Sequence, residues 1–171
     1  MNQTISLLVE NKSGVLARIA GLFSARGYNI ESLSVAKTDD PTLSHITMVV
    51  NLEPRVVAHL LKLLDKMIDV ISVANLSDGK TVERELVLLK VRVDPSQRME
   101  ILKEAELFRA RVIDVGSDSY IFEATGDTEK IEAFIELFRK YEIEEVARTG
   151  AVAMARGLTS PHRVTATGGS S

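Results

Sequence analysis

Two asparagines, Asn11 and Asn29, bracket a helical pattern whose opening carries Ser13 and Gly14. The first four N–H groups of a helix lack intrahelical partners, and the helix dipole makes that end positive. A carboxylate is the natural guest there. Ser13 is placed to cap the helix, and Gly14 lets a small molecule approach its first turn. The side-chain amides of Asn11 and Asn29 suit the polar head of the same guest. These residue types also occur at ordinary helix starts and loop exits. Read as a site, the constellation binds a small anion or amino acid and makes no bonds.

Nothing else in the 171 residues assembles into a catalytic centre. The three histidines are scattered: His45 opens a strand pattern, His59 lies in a helix pattern and His162 lies near the C-terminus. They build neither a triad nor a metal cluster. Asp39-Asp40 and Glu144-Glu145 read as solvated pairs, and Glu83-Arg84-Glu85 as surface pairing. No phosphate-cradling glycine motif is present. Met48, Met67, Met99 and Met154 read as core. The absence of cysteine excludes disulfides and thiolate zinc sites and fits a reducing cytoplasm, the expected location.

A net charge of −3 gives no drive toward nucleic acid or an anionic membrane. The opening residues read as strand, so a secretory leader is not expected. No apolar run approaches the ~18 residues of a membrane helix.

The elements that would hold the asparagines follow from periodicity. Ile5, Leu7 and Val9 alternate with Thr4, Ser6 and Glu10, a half-buried strand. Val15, Leu16, Ile19, Leu22 and Phe23 mark a helix face, closed by Gly27 as a left-handed cap. Residues 28–36 are strand-like, with a bulge near Glu31–Ser32 to reconcile Tyr28 and Ile30 with Leu33 and Val35. A strand around 46–50, a helix from Pro54 and a strand over 70–76 complete the first half. Residues 77–81 read as a linker. The order then repeats: strand over 86–93, helix with Met99, Leu102, Ala105 and Phe108 inward, strands over 111–115 and 120–125, helix capped by Asp127 or Thr128, and strand over 143–154. The Gly-, Ser- and Thr-rich stretch 157–171 is expected to be disordered.

Each half is therefore βαββαβ, an α+β ferredoxin-like domain with an antiparallel sheet and both helices on one face. RNA-recognition modules share this plan but need stacking aromatics on both central strands. Tyr120 and Phe122 supply them on one strand only. At the junction equivalent to residues 11–14, the second half carries Val93-Asp94-Pro95-Ser96, whose acid and proline remove the amide cradle. Val87, Leu88, Leu89 and Val91 are apolar on both faces of their strand, and sheet edges invite pairing, so an oligomer or a tightly bound partner is expected.

The run N-K-S-G-V-L-A-R-I-A-G-L-F-S-A-R-G-Y-N-I-E-S-L-S-V at 11–35 resembles the small regulatory subunit of acetohydroxyacid synthase (acetolactate synthase). T-D-D-P-T-L-S at 38–44 and D-V-I-S-V at 69–73 agree with it. So do V-E-R-E-L-V-L-L-K-V at 82–91, R-A-R-V-I-D-V at 109–115 and E-V-A-R-T-G at 145–150. The resemblance spans roughly residues 2–157. It implies an N-terminal ACT domain over 1–76, for effector binding and dimerisation, and an ACT-like domain over 82–156. It implies no chemistry and no cofactor in this chain. Thiamine diphosphate, Mg²⁺ and FAD would sit on a large catalytic subunit that this chain activates and makes sensitive to valine, in branched-chain amino acid synthesis. It further implies a homodimer through the ACT domains. Asn11, Gly14, Val15 and Leu16 of one protomer would meet Asn29 and Ile30 of the other around the effector. The alternative is an ACT-type amino-acid sensor that controls a different enzyme or regulator.

Overall fold

The computed structural model describes residues 2–77, 79–158 and 161–162. The first half runs β1 (Asn2–Glu10), α1 (Val15–Ser24), β2 (Ser32–Lys37), β3 (Leu43–Asn51), α2 (Pro54–Asp65) and β4 (Val70–Asn75). Its sheet is antiparallel in the order β2-β3-β1-β4, so β2 and β4 are edges. Alternation decides which face is buried. Ile5, Leu7 and Val9 of β1, with Ile46, Met48 and Val50 of β3, pack against Val15, Ile19 and Phe23 of α1 and Val57, Leu60 and Leu64 of α2. Both helices thus cover one face, as the βαββαβ order requires.

The second half runs β5 (Thr81–Arg92), a 3₁₀ turn (Pro95–Gln97), α3 (Arg98–Leu107), β6 (Arg111–Val115), β7 (Ser119–Gly126), α4 (Thr128–Phe138), β8 (Ile143–Arg148) and β9 (Val152–Ala155). Its sheet has the order β6-β7-β5-β8, and β9 also pairs with β5. Val87, Leu89 and Val91 meet Ile101, Ala105, Phe122, Phe134 and Phe138 in a second core. Tyr120 and Phe122 are buried there, so neither offers a stacking platform. Two compact units result: Met1–Val82 with Ala153–Ser171, and Glu83–Val152. No helix among the described residues is long and apolar enough to cross a membrane.

Several local expectations are corrected. β2 begins at Ser32, and residues 28–31 are not strand, which removes the phase conflict without a bulge at Glu31. The irregularities fall instead at Leu8/Val9, Lys90/Val91 and Val112/Asp114. Met99 and Met154 are exposed, and Ile101 takes the inward position on α3. The single strand expected over 143–154 is two, divided at Gly150 by a left-handed turn of φ 77°. Residues 159–160 and 163–171 of the expected disordered tail lie outside the described residues, but His162 is held against the first sheet.

Candidate functional site

The end of β1 is fastened from two sides. Glu10 N–H donates to Asp69 O at 2.9 Å, and Asn11 N–H donates to Thr42 O at 2.7 Å. The Asn11 side-chain amide reaches the same loop, Nδ2 donating to Pro41 O at 2.9 Å. The chain then turns at Gly14, with φ 86° and ψ −13°, and α1 begins. That left-handed conformation is what requires glycine here. Ser13 does not cap the helix as expected. The N-cap position falls on Gly14, which has no side chain, and no side chain bonds to the first turn. The first helical bond runs from Arg18 N–H to Gly14 O, 3.0 Å.

Arg18 is the site residue that sequence reading missed. Its Nε and Nη2 donate to Asp69 Oδ2 at 2.9 and 2.5 Å, and Asp69 is buried. Its Nη1 lies 3.0 Å from where a Cβ on Gly14 would stand. A signal for it existed. Helical side chains lean toward the N-terminus, so the residue four after Gly14 covers the opening turn. Its carboxylate partner, from D-V-I-S-V, is reached only through the pairing of β1 with β4.

The other candidates divide. Val15 is a core residue, 3% exposed, so only its main chain faces the turn, whereas Leu16 is exposed. Gly27, with φ 67°, ends α1 in a Schellman motif: Tyr28 N–H donates to Phe23 O and Gly27 N–H to Ser24 O, both at 3.0 Å. Asn29 follows, exposed, its Nδ2 donating to Glu31 Oε1 at 2.8 Å. Ile30 packs at the rim of the core. Within one protomer Asn11 and Asn29 are not brought together. Ser32 pairs with Val49 and Glu10 with Leu43. Those levels are about 20 Å apart along β3, at ~3.4 Å per residue.

In the second half the equivalent turn is filled by its own chain. Asp94 Oδ1 accepts from the Ser96 N–H at 2.9 Å and the Ser96 hydroxyl at 2.7 Å, which holds its carboxyl below the ordinary carboxylate range. Asp127 similarly caps α4, accepting from Lys130 N–H at 2.9 Å. Gly14 thus opens the helix without a carboxylate cap, and a cation lies beside it. Among the described residues no group of three or more His, Asp or Glu could hold a metal ion. His45 and His162, however, are not scattered but meet edge-on, 5.5 Å between ring centroids.

Residues 5–72 match a family model described as an AHAS small subunit-like ACT domain, and residues 84–157 one described as the small subunit of acetolactate synthase. The probable acetolactate synthase small subunit of Archaeoglobus fulgidus is 52% identical over 157 residues, 92% of this chain and 98% of that protein. The acetolactate synthase small subunit of Bacillus subtilis is 49% identical over 158 residues, 92% of each. The crystal structure of the Thermotoga maritima small subunit superposes with a TM-score of 0.84 at 39% identity, covering 92% of this chain and 98% of that one. With two ferredoxin-like units in tandem, the first an ACT domain, the chain belongs to the acetolactate synthase small-subunit family.

Proposed function

We propose that this chain is the non-catalytic regulatory subunit of an acetolactate synthase holoenzyme. It binds the thiamine-diphosphate-dependent large subunit, raises its activity and makes it sensitive to feedback inhibition by valine. The observation that carries the effector reading is the opening of α1 at Gly14. The turn has no side-chain cap, and Arg18 is held beside it by a buried carboxylate. The free N–H groups and the guanidinium both suit the effector carboxylate. Leu16 and Ile30 offer apolar surface for a branched side chain.

The effector site is shared by two protomers. Glu10 and Ser32, the strand residues nearest Asn11 and Asn29, lie at levels roughly 20 Å apart along a single sheet, more than one small amino acid spans. A two-fold pairing alongside the β2 edge brings Asn11 and Gly14 of one protomer to Asn29 and Ile30 of the other. β2 is an edge of the described sheet, paired there with β3, and Val35 on it is exposed, which favours that edge. The family relatives are named as small subunits, which supports a larger catalytic partner.

The test is co-purification. The tagged chain, mixed with an acetolactate synthase large subunit, should co-elute in size-exclusion chromatography at micromolar concentration. Separate elution, with and without thiamine diphosphate and Mg²⁺, would show that it senses an amino acid for some other partner.

A further inference from the structure

The family match ends at residue 157, yet the chain beyond it returns to the N-terminal sheet. Ala153 N–H points to Thr47 Oγ1 at 3.4 Å, and Arg156 N–H donates to Lys80 O at 2.7 Å. Further on, the His162 ring is held at both nitrogens. Its Nδ1 lies 2.6 Å from Ser72 Oγ on β4, and its Nε2 lies 2.7 Å from Ser6 Oγ on β1. Ser6 is fully buried and also bonds His45 Nε2 on β3, at 2.8 Å. Ser6 pairs with Thr47, while His45 and Ser72 both pair with Leu8. All three therefore lie on the face opposite the helices. Two imidazoles and two hydroxyls converge there on a surface that ferredoxin-like sheets leave open.

We propose that His162 is a latch that fastens the C-terminal segment over the open face of the N-terminal sheet, and that acid releases it. The groups facing the ring decide the sign. Ser6 and Ser72 are neutral, as are Ser34 and Ala36, which β2 places on the same face. Glu10, further along β1 on that face, is paired with Lys12 at 2.8 Å. Arg156, on the segment itself, directs its Nε to Thr81 O. Among the described residues the titratable neighbour acting on His162 is His45, which when protonated repels an imidazolium. Burial first, and His45 second, push His162 down to about 4, and burial also lowers His45. A histidine favoured in its neutral form when docked docks best above its undocked value of about 6.5, and docking weakens as pH falls through that value toward 4. Between pH 7.5 and 5.5 the docking constant should drop about tenfold, the ratio set by those two values.

The chain has three histidines, His45, His59 and His162, so their ring signals can be assigned individually. In an NMR titration of the full-length chain, His162 should titrate well below the ordinary imidazole value of about 6.5, and His45 below it. Hydrogen exchange of the segment from 157 to 162, beyond the strand paired with β5, corrected for intrinsic rates, should lose about tenfold in protection at pH 5.5. His162→Gln, which keeps a polar side chain but cannot gain charge, should abolish that pH dependence. His162 titrating at about 6.5 or above would overturn the latch. So would equal protection at the two pH values, or a His162→Gln protein that keeps the wild-type pH dependence.

Discussion

Replacing Gly14 with aspartate should separate activation from feedback. Gly14 has φ 86°, so any L residue there is strained by about 1–2 kcal/mol, least for Asn and Asp. The new Cβ would stand 3.0 Å from Arg18 Nη1, the end of a long side chain able to shift by a few tenths of an ångström. The new carboxylate would then lie between the guanidinium and the opening of α1, where a negative charge contributes about 0.3–1 kcal/mol. The two effects nearly offset one another, leaving a loss of ~1 kcal/mol that a domain stable by about 5–15 kcal/mol tolerates. The same carboxylate would occupy the place proposed for the effector carboxylate. Valine binding should weaken at least tenfold, about 1.4 kcal/mol. Coupling between effector and active sites is typically ~1–3 kcal/mol, so that loss removes inhibition at ordinary valine levels. The assay is acetolactate formation by large subunit reconstituted with the variant, with and without valine. Gly14→Ala, which shares the strain without the charge, is the control and should keep part of the inhibition. If Gly14→Asp is inhibited by valine as well as the parent, the effector does not bind at this turn.

Sedimentation at micromolar concentration with saturating valine should show a dimer or larger assembly, and a monomer would remove the shared site. Calorimetry on the assembled complex should give a valine dissociation constant of roughly 10 μM to 1 mM, from charge-assisted bonds of about 1.5–3 kcal/mol each set against lost freedom of about 4 kcal/mol or more. No heat at 10-fold above that range would contradict it. In the second unit, Arg148 binds Glu85 through Nε at 2.5 Å and Nη2 at 3.0 Å, and Glu85 is 5% exposed. Arg148→Ala strands that carboxylate. Because Arg148 itself is one-third exposed, the loss should sit near the low end for broken buried pairs, roughly 2–3 kcal/mol, with Tm lower by about 10 °C. An unchanged Tm would show that water already reaches Glu85.

The duplicated βαββαβ plan was legible because each element carries its own period. β1 alternates Ile5, Leu7 and Val9, and α1 repeats Val15, Ile19 and Phe23 at helical spacing. Gly27 as a left-handed terminator was legible for the same local reason. The conformation of Gly14 was not. A serine before a helix reads as a cap, and only the fold shows that the turn places Gly14 at that position, leaving Ser13 outside. Arg18 with Asp69, and His162 with Ser6 and Ser72, join residues 51, 156 and 90 positions apart. Such contacts follow from strand pairing, and periodicity carries no record of them. The inward side of α3 was misjudged because that helix is weakly amphipathic, with Met99 and Ile101 equally apolar in sequence but only Ile101 turned to the core.

The central claim is regulation of a catalytic partner by an amino-acid effector. It is tested most directly by measuring acetolactate formation from pyruvate with this chain alone, the large subunit alone, the two together, and the two together with valine, leucine or isoleucine. The account predicts no product from this chain alone, more from the pair than from the large subunit alone, and a fall in the pair's rate at millimolar valine. A pair no more active than the large subunit, or one indifferent to all three amino acids, would contradict it.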